Sequence, residues 1–185
     1  MKQQTLNKLK NSNRATQKAV YYDHCDRLMA IALRYCGSVP DAEEVIQDTF
    51  VKVFEKINDF DSARGSFEGW TAKIAINFAL MALRKKKQMV FYEEDLHAAL
   101  SVVPNQAIQK IEEEEVEQII DSLNEKYAVI FKLKAIEGMS HEEIAQLLNI
   151  KKEASRTIFS RAKKQLRTIF NEAESEIFNT KKGIL

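Results

Sequence analysis

The sequence is poor in the residues that make turns, with five glycines and two prolines among its 185 residues. A β-sandwich or barrel needs a turn about every ten residues, and collagen-like or Pro/Gly-rich disordered chains need far more of both residues. All of these classes are therefore excluded. Apolar residues make up 45% of the chain, which is enough for packed cores and argues against wholesale disorder. We expect an all-α fold.

Cysteine is equally scarce, since the chain has Cys25 and Cys36 alone. This pair supplies no disulfide framework, and the absence of a Cys-x-x-Cys pair gives no zinc signature. We interpret both as small buried apolar side chains, with redox sensing as the alternative. The N-terminus has no signal-peptide core, and the apolar run 74–83 is too short to span a bilayer. We therefore expect a cytoplasmic protein without membrane insertion of its own.

Groups that could carry catalysis are also missing. His24, His97 and His141 are scattered and lack the paired spacing of a metal site. There is no Gly-rich phosphate loop and no nucleophile with a matching base. The sequence predicts no cofactor, no metal and no catalytic residue, and an enzyme is the least favoured class.

Charge is distributed unevenly along the chain, although the formal net charge is only +1. Residues 1–90 carry 15 basic and 10 acidic side chains, residues 91–123 carry 1 and 9, and residues 124–185 carry 12 and 8. Two basic blocks joined by an acidic connector indicate two binding sites for a polyanion, separated by a segment that repels it.

Helical spacing organises the N-terminal block. Gly37 and Pro40 mark the break between the first two helices. A polar loop at 58–65 follows the second helix, and Ser66 can cap a third helix from Phe67 to about Lys86. The apolar stripes of the first two helices are Val20, His24, Leu28, Ile31 and Tyr35, then Val45, Ile46, Phe50, Val53, Phe54 and Ile57. We place an N-terminal domain at 1–87, a linker at 88–107, where the periodicity fades, and a C-terminal domain at 108–185.

Capping signals divide the C-terminal block. Gly138 suits a helix C-terminus, and Ser140 and Glu143 have the spacing of a capping box. A final helix rich in Lys and Arg is predicted from about Lys152 to Phe170.

The segment 140–166 reads as a helix-turn-helix. Ala145 is small where two helices must cross, Asn149 can adopt the left-handed conformation of the tight turn, and Ile150 follows as a core residue. The cations at the second helix are Lys151, Lys152, Arg156, Arg161, Lys163, Lys164 and Arg167, against the single acid Glu153. This excess favours entry into a DNA major groove, and the alternative is an ordinary helical hairpin with a solvated basic face.

The third helix is apolar almost all round, with Phe67, Trp70, Ile74, Phe78 and Met81 on one side and Ile76, Leu80 and Leu83 on another. A narrow polar stripe of Ser66, Lys73, Asn77 and Arg84 remains, within about 40° of one line. Two cations and an amide in a row can hold phosphates and read a base edge. The alternative is that the stripe is only the solvated side of the helix.

Segments 42–57 (AEEVIQDTFVKVFEKI) and 60–87, followed by the helix-turn-helix, resemble the two conserved domains of the extracytoplasmic-function sigma factors. These are the smallest members of the sigma-70 family of bacterial transcription initiation factors. The resemblance runs in order from about Leu6 to Phe170. It implies a factor that binds core RNA polymerase, directs it to specific promoters and stabilises the melted strand, and that is often held by an anti-sigma factor.

The resemblance also implies roles for residues of the N-terminal domain. Gln47 and Asp48 would contact the clamp coiled coil of RNA polymerase. Asn77 matches the residue that reads a minus-ten base, with Lys73 beside it. From its place directly after this stripe, we expect the basic run from Arg84 to Lys87 to grip the promoter backbone, with a generic basic patch as the alternative. The loop at 58–65 resembles the one that captures a flipped base, whose extrusion costs a few kcal/mol and so requires a preformed pocket.

In the C-terminal domain, the resemblance implies that the second helix of the motif reads the duplex minus-thirty-five element. The matching contact residues are Arg156, Thr157, Ser160 and Arg161. The sequence departs from the family pattern at Glu153, at Ser155, where an aliphatic residue is usual, and at Ile158, where Arg is common. We expect the lost cation and the added acid to weaken phosphate attraction.

Two other functions are compatible with the residues alone. A helix-turn-helix regulator that binds an operator would never touch RNA polymerase. A helical protein-interaction module, such as an inhibitor or adaptor, would bind no DNA at any salt concentration.

Overall fold

The computed structural model describes residues 3–87 and 113–182, and all of the regular elements within them are helices. This confirms the expected all-α class. The chain divides near residue 90 into two compact units, which are described separately below. The linker expected at 88–107, the first residues of the C-terminal domain at 108–112, and His97 lie outside the described residues.

Helices α2, α3 and α4 of the N-terminal unit pack against one another, and α1 contacts α2. Leu28, Ile46, Ile76 and Leu80 are fully buried between them. The bounds are α1 Gln3–Lys10, α2 Arg14–Cys36, α3 Val39–Glu55 and α4 Phe67–Lys87, with a 3-10 turn at Ile57–Asp59. Helix α1 was not predicted, although its buried residues Leu6 and Leu9 have helical spacing.

Local chemistry fixes the ends of these helices. Gly37 ends α2 in the left-handed region at φ +69°, where a glycine carries no Cβ penalty. The Ser38 hydroxyl caps α3 by accepting the N–H of Asp41. Ser66 Oγ accepts the Gly69 N–H at 3.0 Å, which confirms the predicted cap of α4.

The C-terminal unit is built around a long final helix against which α6 and α7 pack. Its bounds are α5 Glu113–Asp121, α6 Glu125–Phe131, a π-helical turn at Lys132–Ile136, α7 His141–Leu148 and α8 Lys152–Lys182. Ile130, Leu133 and Ile144 are fully buried. The expected end of α8 near Phe170 is wrong, because residues 171–182 contain neither Gly nor Pro to stop the helix.

The helix-turn-helix forms as the capping signals predict. Ser140 and Glu143 make the reciprocal bonds of a capping box. Asn149 adopts the left-handed conformation at φ 55° and ψ 50°, and the Ala145 carbonyl accepts the N–H groups of Asn149 and Ile150. Ile150 is only half-buried, so the prediction that it fills the core is wrong.

The two cysteines differ in their surroundings. Cys36 is buried, and this burial raises the pKa of its thiol, in agreement with an inert apolar side chain. Cys25 is half-buried. None of the helices in residues 3–87 and 113–182 combines the length and the apolar character of a membrane span.

Candidate polymerase and promoter interfaces

The polar stripe of α4 is narrower in the structure than in the sequence. Lys73 and Asn77 are exposed one turn apart, whereas Arg84 is half-buried. The Ser66 hydroxyl is engaged by the cap that starts the helix. The part of the stripe best placed for a ligand is therefore the ammonium and amide pair of Lys73 and Asn77.

Apolar side chains border this pair. Met81 is 54% exposed one turn beyond Asn77. Trp70 is half-buried, and its ring lies 5.3 Å from the Phe60 ring and 5.8 Å from the Phe67 ring. The face thus combines an amide, an ammonium and apolar surface, the groups that can read base edges and pack against unstacked bases.

The loop before α4 is held by its own contacts. Phe60 is buried, and its ring lies 5.5 Å from that of Phe67 in an edge contact. The Asp61 carboxylate accepts the Ala63 N–H at 2.9 Å and lies 3.7 Å from the Arg64 guanidinium. Residues 61–65 are exposed. The buried ring of Phe60 therefore anchors the start of a loop that faces solvent.

The basic end of α4 is partly engaged by the protein itself. Lys86 Nζ donates to Asp41 Oδ2 across 2.8 Å, which joins the end of α4 to the first turn of α3. The Lys86 ammonium, together with the Ser38 hydroxyl, holds the pKa of the Asp41 carboxyl below its usual value, and Asp41 raises the pKa of Lys86. Lys85 is exposed and is not part of the Lys86–Asp41 pair. The basic run at 84–87 is therefore only partly engaged by the protein itself.

The outer face of α3 carries the residues expected to contact RNA polymerase. Gln47 and Asp48 are both exposed, and Val51, on the next turn, is 58% exposed. A groove of about 650 Å³ is lined by residues of α3 and α4, with Asp48 and Glu44 on the α3 side and Phe78 and Met81 among its apolar walls. This face therefore offers apolar contact and acidic groups together.

On α8, the structure separates the predicted minus-thirty-five residues into two pairs. Arg156 and Ser160 are exposed one turn apart. Thr157 and Arg161 are half-buried, and the Thr157 hydroxyl donates to the Glu153 carbonyl at 2.9 Å. Five exposed polar residues from the second turn onward lie on one side of the helix: Arg156, Ser160, Lys163, Lys164 and Arg167. They form a basic face along more than three helical turns.

Two of the three departures from the family pattern face the interior. Ser155 is fully buried and Ile158 is 3% exposed. The expectation that Ile158 costs the DNA-facing surface a cation is therefore wrong, because a side chain at this position points into the core. Glu153 is exposed, so the added acid does lie on the surface of α8.

The structure also shows contacts at the helix-turn-helix that were not predicted from the sequence. Lys152, at the start of α8, forms an ion pair with Glu142 of α7. His141 Nδ1 lies 2.9 Å from Ser155 Oγ, and Lys163 Nζ lies 5.0 Å above the Phe159 ring. The unusual serine at 155 was the available sequence signal for the histidine contact. Among the described residues, no cluster of His, Cys, Asp and Glu could hold a metal ion.

Comparison with known proteins places each unit in a recognised group. Residues 20–89 match the model of Sigma-70 region 2, and residues 113–166 match that of Sigma-70, region 4. The ECF RNA polymerase sigma factor SigE of Mycolicibacterium smegmatis is 31% identical over 160 residues, 83% of this chain and 61% of that protein. The RNA polymerase sigma factor CnrH of Cupriavidus metallidurans is 31% identical over 147 residues, 74% of this chain and 76% of that protein.

The fold has a counterpart among solved structures. The sigma factor RpoE of Bartonella quintana, in complex with the anti-sigma factor NepR, matches with a TM-score of 0.55 and 20% sequence identity. The match covers 83% of this chain and 96% of that chain. At this identity, the likeness concerns the fold.

Proposed function

Because the chain belongs to the sigma-70 family, in its extracytoplasmic-function group, we propose that it brings core RNA polymerase to a subset of promoters and stabilises their melted strand. The observation that carries this proposal is the presence of the two sigma regions in one chain, in order. The family consists of non-enzymatic transcription factors, so the role of this chain lies in binding. Its place of action would be the cytoplasm, where promoter DNA and polymerase are found.

The N-terminal unit would read the melted minus-ten element. The exposed Asn77 amide can pair with a base edge, and the Lys73 ammonium one turn away can hold a neighbouring phosphate. The anchored loop at 58–65 would receive the base that leaves the stack. Half-buried Arg84 and exposed Lys85 would contact the backbone at the end of α4.

The C-terminal unit would read the duplex minus-thirty-five element through α8. Arg156 and Ser160 lead this assignment because both are exposed near the N-terminal end of the helix. Thr157 and Arg161 would contribute from the edge of the same face. Lys163, Lys164 and Arg167 would add salt-dependent attraction to flanking phosphates.

Protein partners would use the N-terminal unit as well. Gln47 and Asp48, with the exposed Val51 beside them, would form the surface for the clamp coiled coil of core RNA polymerase. The solved RpoE structure contains an anti-sigma factor. We extend this to the present chain and propose that an anti-sigma factor regulates it.

The test is transcription by core RNA polymerase plus this protein on a randomised promoter library, scored by start sites. A single two-part motif upstream of the starts is the expected result. Failure to bind core polymerase would contradict the proposal and leave an operator-binding regulator or an interaction module.

A second experiment tests the base reader. Asn77→Ala should change the minus-ten preference on a panel of variant promoters and leave polymerase binding intact, because Asn77 faces solvent on α4 and α3 is untouched. Asn11→Ala, which removes an exposed amide from the turn after α1, is the matched control and should transcribe the panel like the wild type. An unchanged panel with Asn77→Ala would show the assignment to be wrong.

A further inference from the structure

A direct side-chain hydrogen bond ties together the two helices of the helix-turn-helix. His141 is the first residue of α7, and its Nδ1 lies 2.9 Å from the hydroxyl of Ser155 in the first turn of α8. Ser155 is 0% exposed and His141 is half-buried. The bond therefore lies beneath the surface of the motif, immediately before Arg156.

A phenylalanine extends this contact toward the outer face of α8. The Phe159 ring meets the His141 ring edge-on, with 5.8 Å between centroids, and stacks on the Phe131 ring of α6 at 5.8 Å. The Lys163 ammonium lies 5.0 Å from the centre of the same ring. We call His141, Ser155 and Phe159 the His–Ser–Phe cluster. Arg156 directly follows Ser155 and Lys163 lies one turn after Phe159, and both are exposed.

The surroundings of the imidazole favour its uncharged form. Burial lowers its pKa, Lys134, Arg156 and Lys152 add to this effect, and Glu142 opposes it. The charged groups that face His141 thus come from its own helix, from the π-helical turn and from α8. In the neutral ring with the proton on Nε2, Nδ1 is an acceptor, and the Ser155 hydroxyl donates to it.

A hydrogen bond at this position does something that an apolar contact would not. Packing between apolar side chains is non-directional and tolerates small rotations of one helix on another. A hydrogen bond weakens steeply when its angle is lost, so it fixes how far α8 is turned about its axis. A recognition helix must place its side chains at base edges to within a fraction of an ångström, since a bidentate contact fails when it is displaced.

We propose that His141 and Ser155 are positioning residues for minus-thirty-five recognition, through a hydrogen bond that holds α8 in the orientation at which Arg156 and Ser160 reach the bases. This inference rests on the proposed function. Neither residue touches DNA itself. Their effect is on discrimination between promoter sequences rather than on the general attraction to phosphates.

Rescue by a conservative variant supplies a readout that simple packing would not have. The contact itself survives protonation, because a charged ring turns Nδ1 into a donor and the Ser155 hydroxyl then accepts from it. The wild-type discrimination ratio should therefore change little across the titration of His141, whose pKa is lowered from the usual value of about 6.5. Non-specific affinity should not fall on the acid side, since the added charge is positive.

The experiment uses holoenzyme formed from the full chain and core polymerase. Its DNA is a promoter selected from the randomised library, in versions with the intact and the scrambled minus-thirty-five element. The ratio of the two dissociation constants is measured from pH 8 to about pH 5, a range that spans ordinary histidine titration. The variants are Ser155→Ala, His141→Leu and His141→Asn, and the last keeps an acceptor oxygen at the position of Nδ1.

Ser155→Ala and His141→Leu should each reduce the discrimination ratio about five- to tenfold at pH 7.5, the range expected for one lost hydrogen bond. Both ratios should be independent of pH. His141→Asn should restore most of the wild-type ratio at pH 7.5, because its side-chain oxygen can accept from the Ser155 hydroxyl. Affinity for the scrambled element should remain within about twofold of wild type, because the cations of α8 are unchanged.

The outcomes separate the inference from the function on which it rests. If wild-type holoenzyme binds no promoter selectively, the proposed function fails. If the wild type discriminates and Ser155→Ala and His141→Leu do so equally well, the positioning role is wrong. The positioning role is also wrong if His141→Asn discriminates as poorly as His141→Leu. It is wrong as well if Ser155→Ala or His141→Leu changes the unfolding temperature and leaves the discrimination ratio unchanged.

Discussion

The basic face of α8 leads to a quantitative prediction about Arg156. This residue is exposed in the first turns of α8, and its neighbour Ser155 is buried, so the backbone that carries the guanidinium is held in place. Lys152, one turn earlier, is already paired with Glu142. Arg156 is therefore the first cation of the helix expected to meet DNA without an ion pair to α7.

The expected effect of Arg156→Gln follows from counterion release. Each phosphate neutralised by a protein cation contributes about 0.9 to the slope of log affinity against log salt concentration. Loss of one contact should make the slope shallower by about 0.9. When the salt concentration is lowered from 1 M to 0.1 M, the affinity of the wild type should therefore rise about eightfold more than that of Arg156→Gln.

Arg156→Lys is the matched control, because it keeps the charge and loses the planar fork. If Arg156 also reads a guanine, the lysine variant should keep the salt slope and lose roughly 1–3 kcal/mol of discrimination at one base pair. The assay is fluorescence anisotropy of holoenzyme on labelled promoter across a salt series. An unchanged slope with Arg156→Gln would refute the placement of this face against DNA.

Three further predictions concern stability. Lys132 is 4% exposed, and its ammonium lies 2.6 Å from the Asp121 carboxylate. Asp121→Ala should therefore lower the unfolding free energy of the C-terminal unit by about 1–3 kcal/mol, measured by urea denaturation. Lys132→Met should be close to neutral. Gln165 is buried and its carbonyl oxygen has no hydrogen-bond partner, so Gln165→Met should raise the melting temperature, with a gain of about 1–2 kcal/mol. Because Lys86 and Ser38 depress the folded-state pKa of Asp41, its contribution is present above about pH 4 and is lost as the pH falls through the lowered value. Asp41→Asn should therefore flatten the acid limb of the stability curve of the N-terminal unit, and an unchanged limb would contradict this account.

The sequence by itself determined the features that depend on neighbouring residues. Ser66, the Ser140 and Glu143 capping box and the left-handed Asn149 were predicted correctly because each acts on backbone groups within four residues. The family resemblance rested on the same local segments. The exposure of Lys73 and Asn77 likewise followed from helical periodicity alone.

Only the tertiary structure decided which charges and faces are available to a ligand. Lys86 is engaged by Asp41, 45 residues away, and a pairing at that separation leaves no trace in local spacing. Ile158 faces the core and Met81 faces solvent, because the direction from which neighbouring helices pack determines which apolar residues are covered. The contact of Ser155 with His141 likewise arises only once α7 and α8 cross, which places two side chains 14 positions apart at hydrogen-bonding distance.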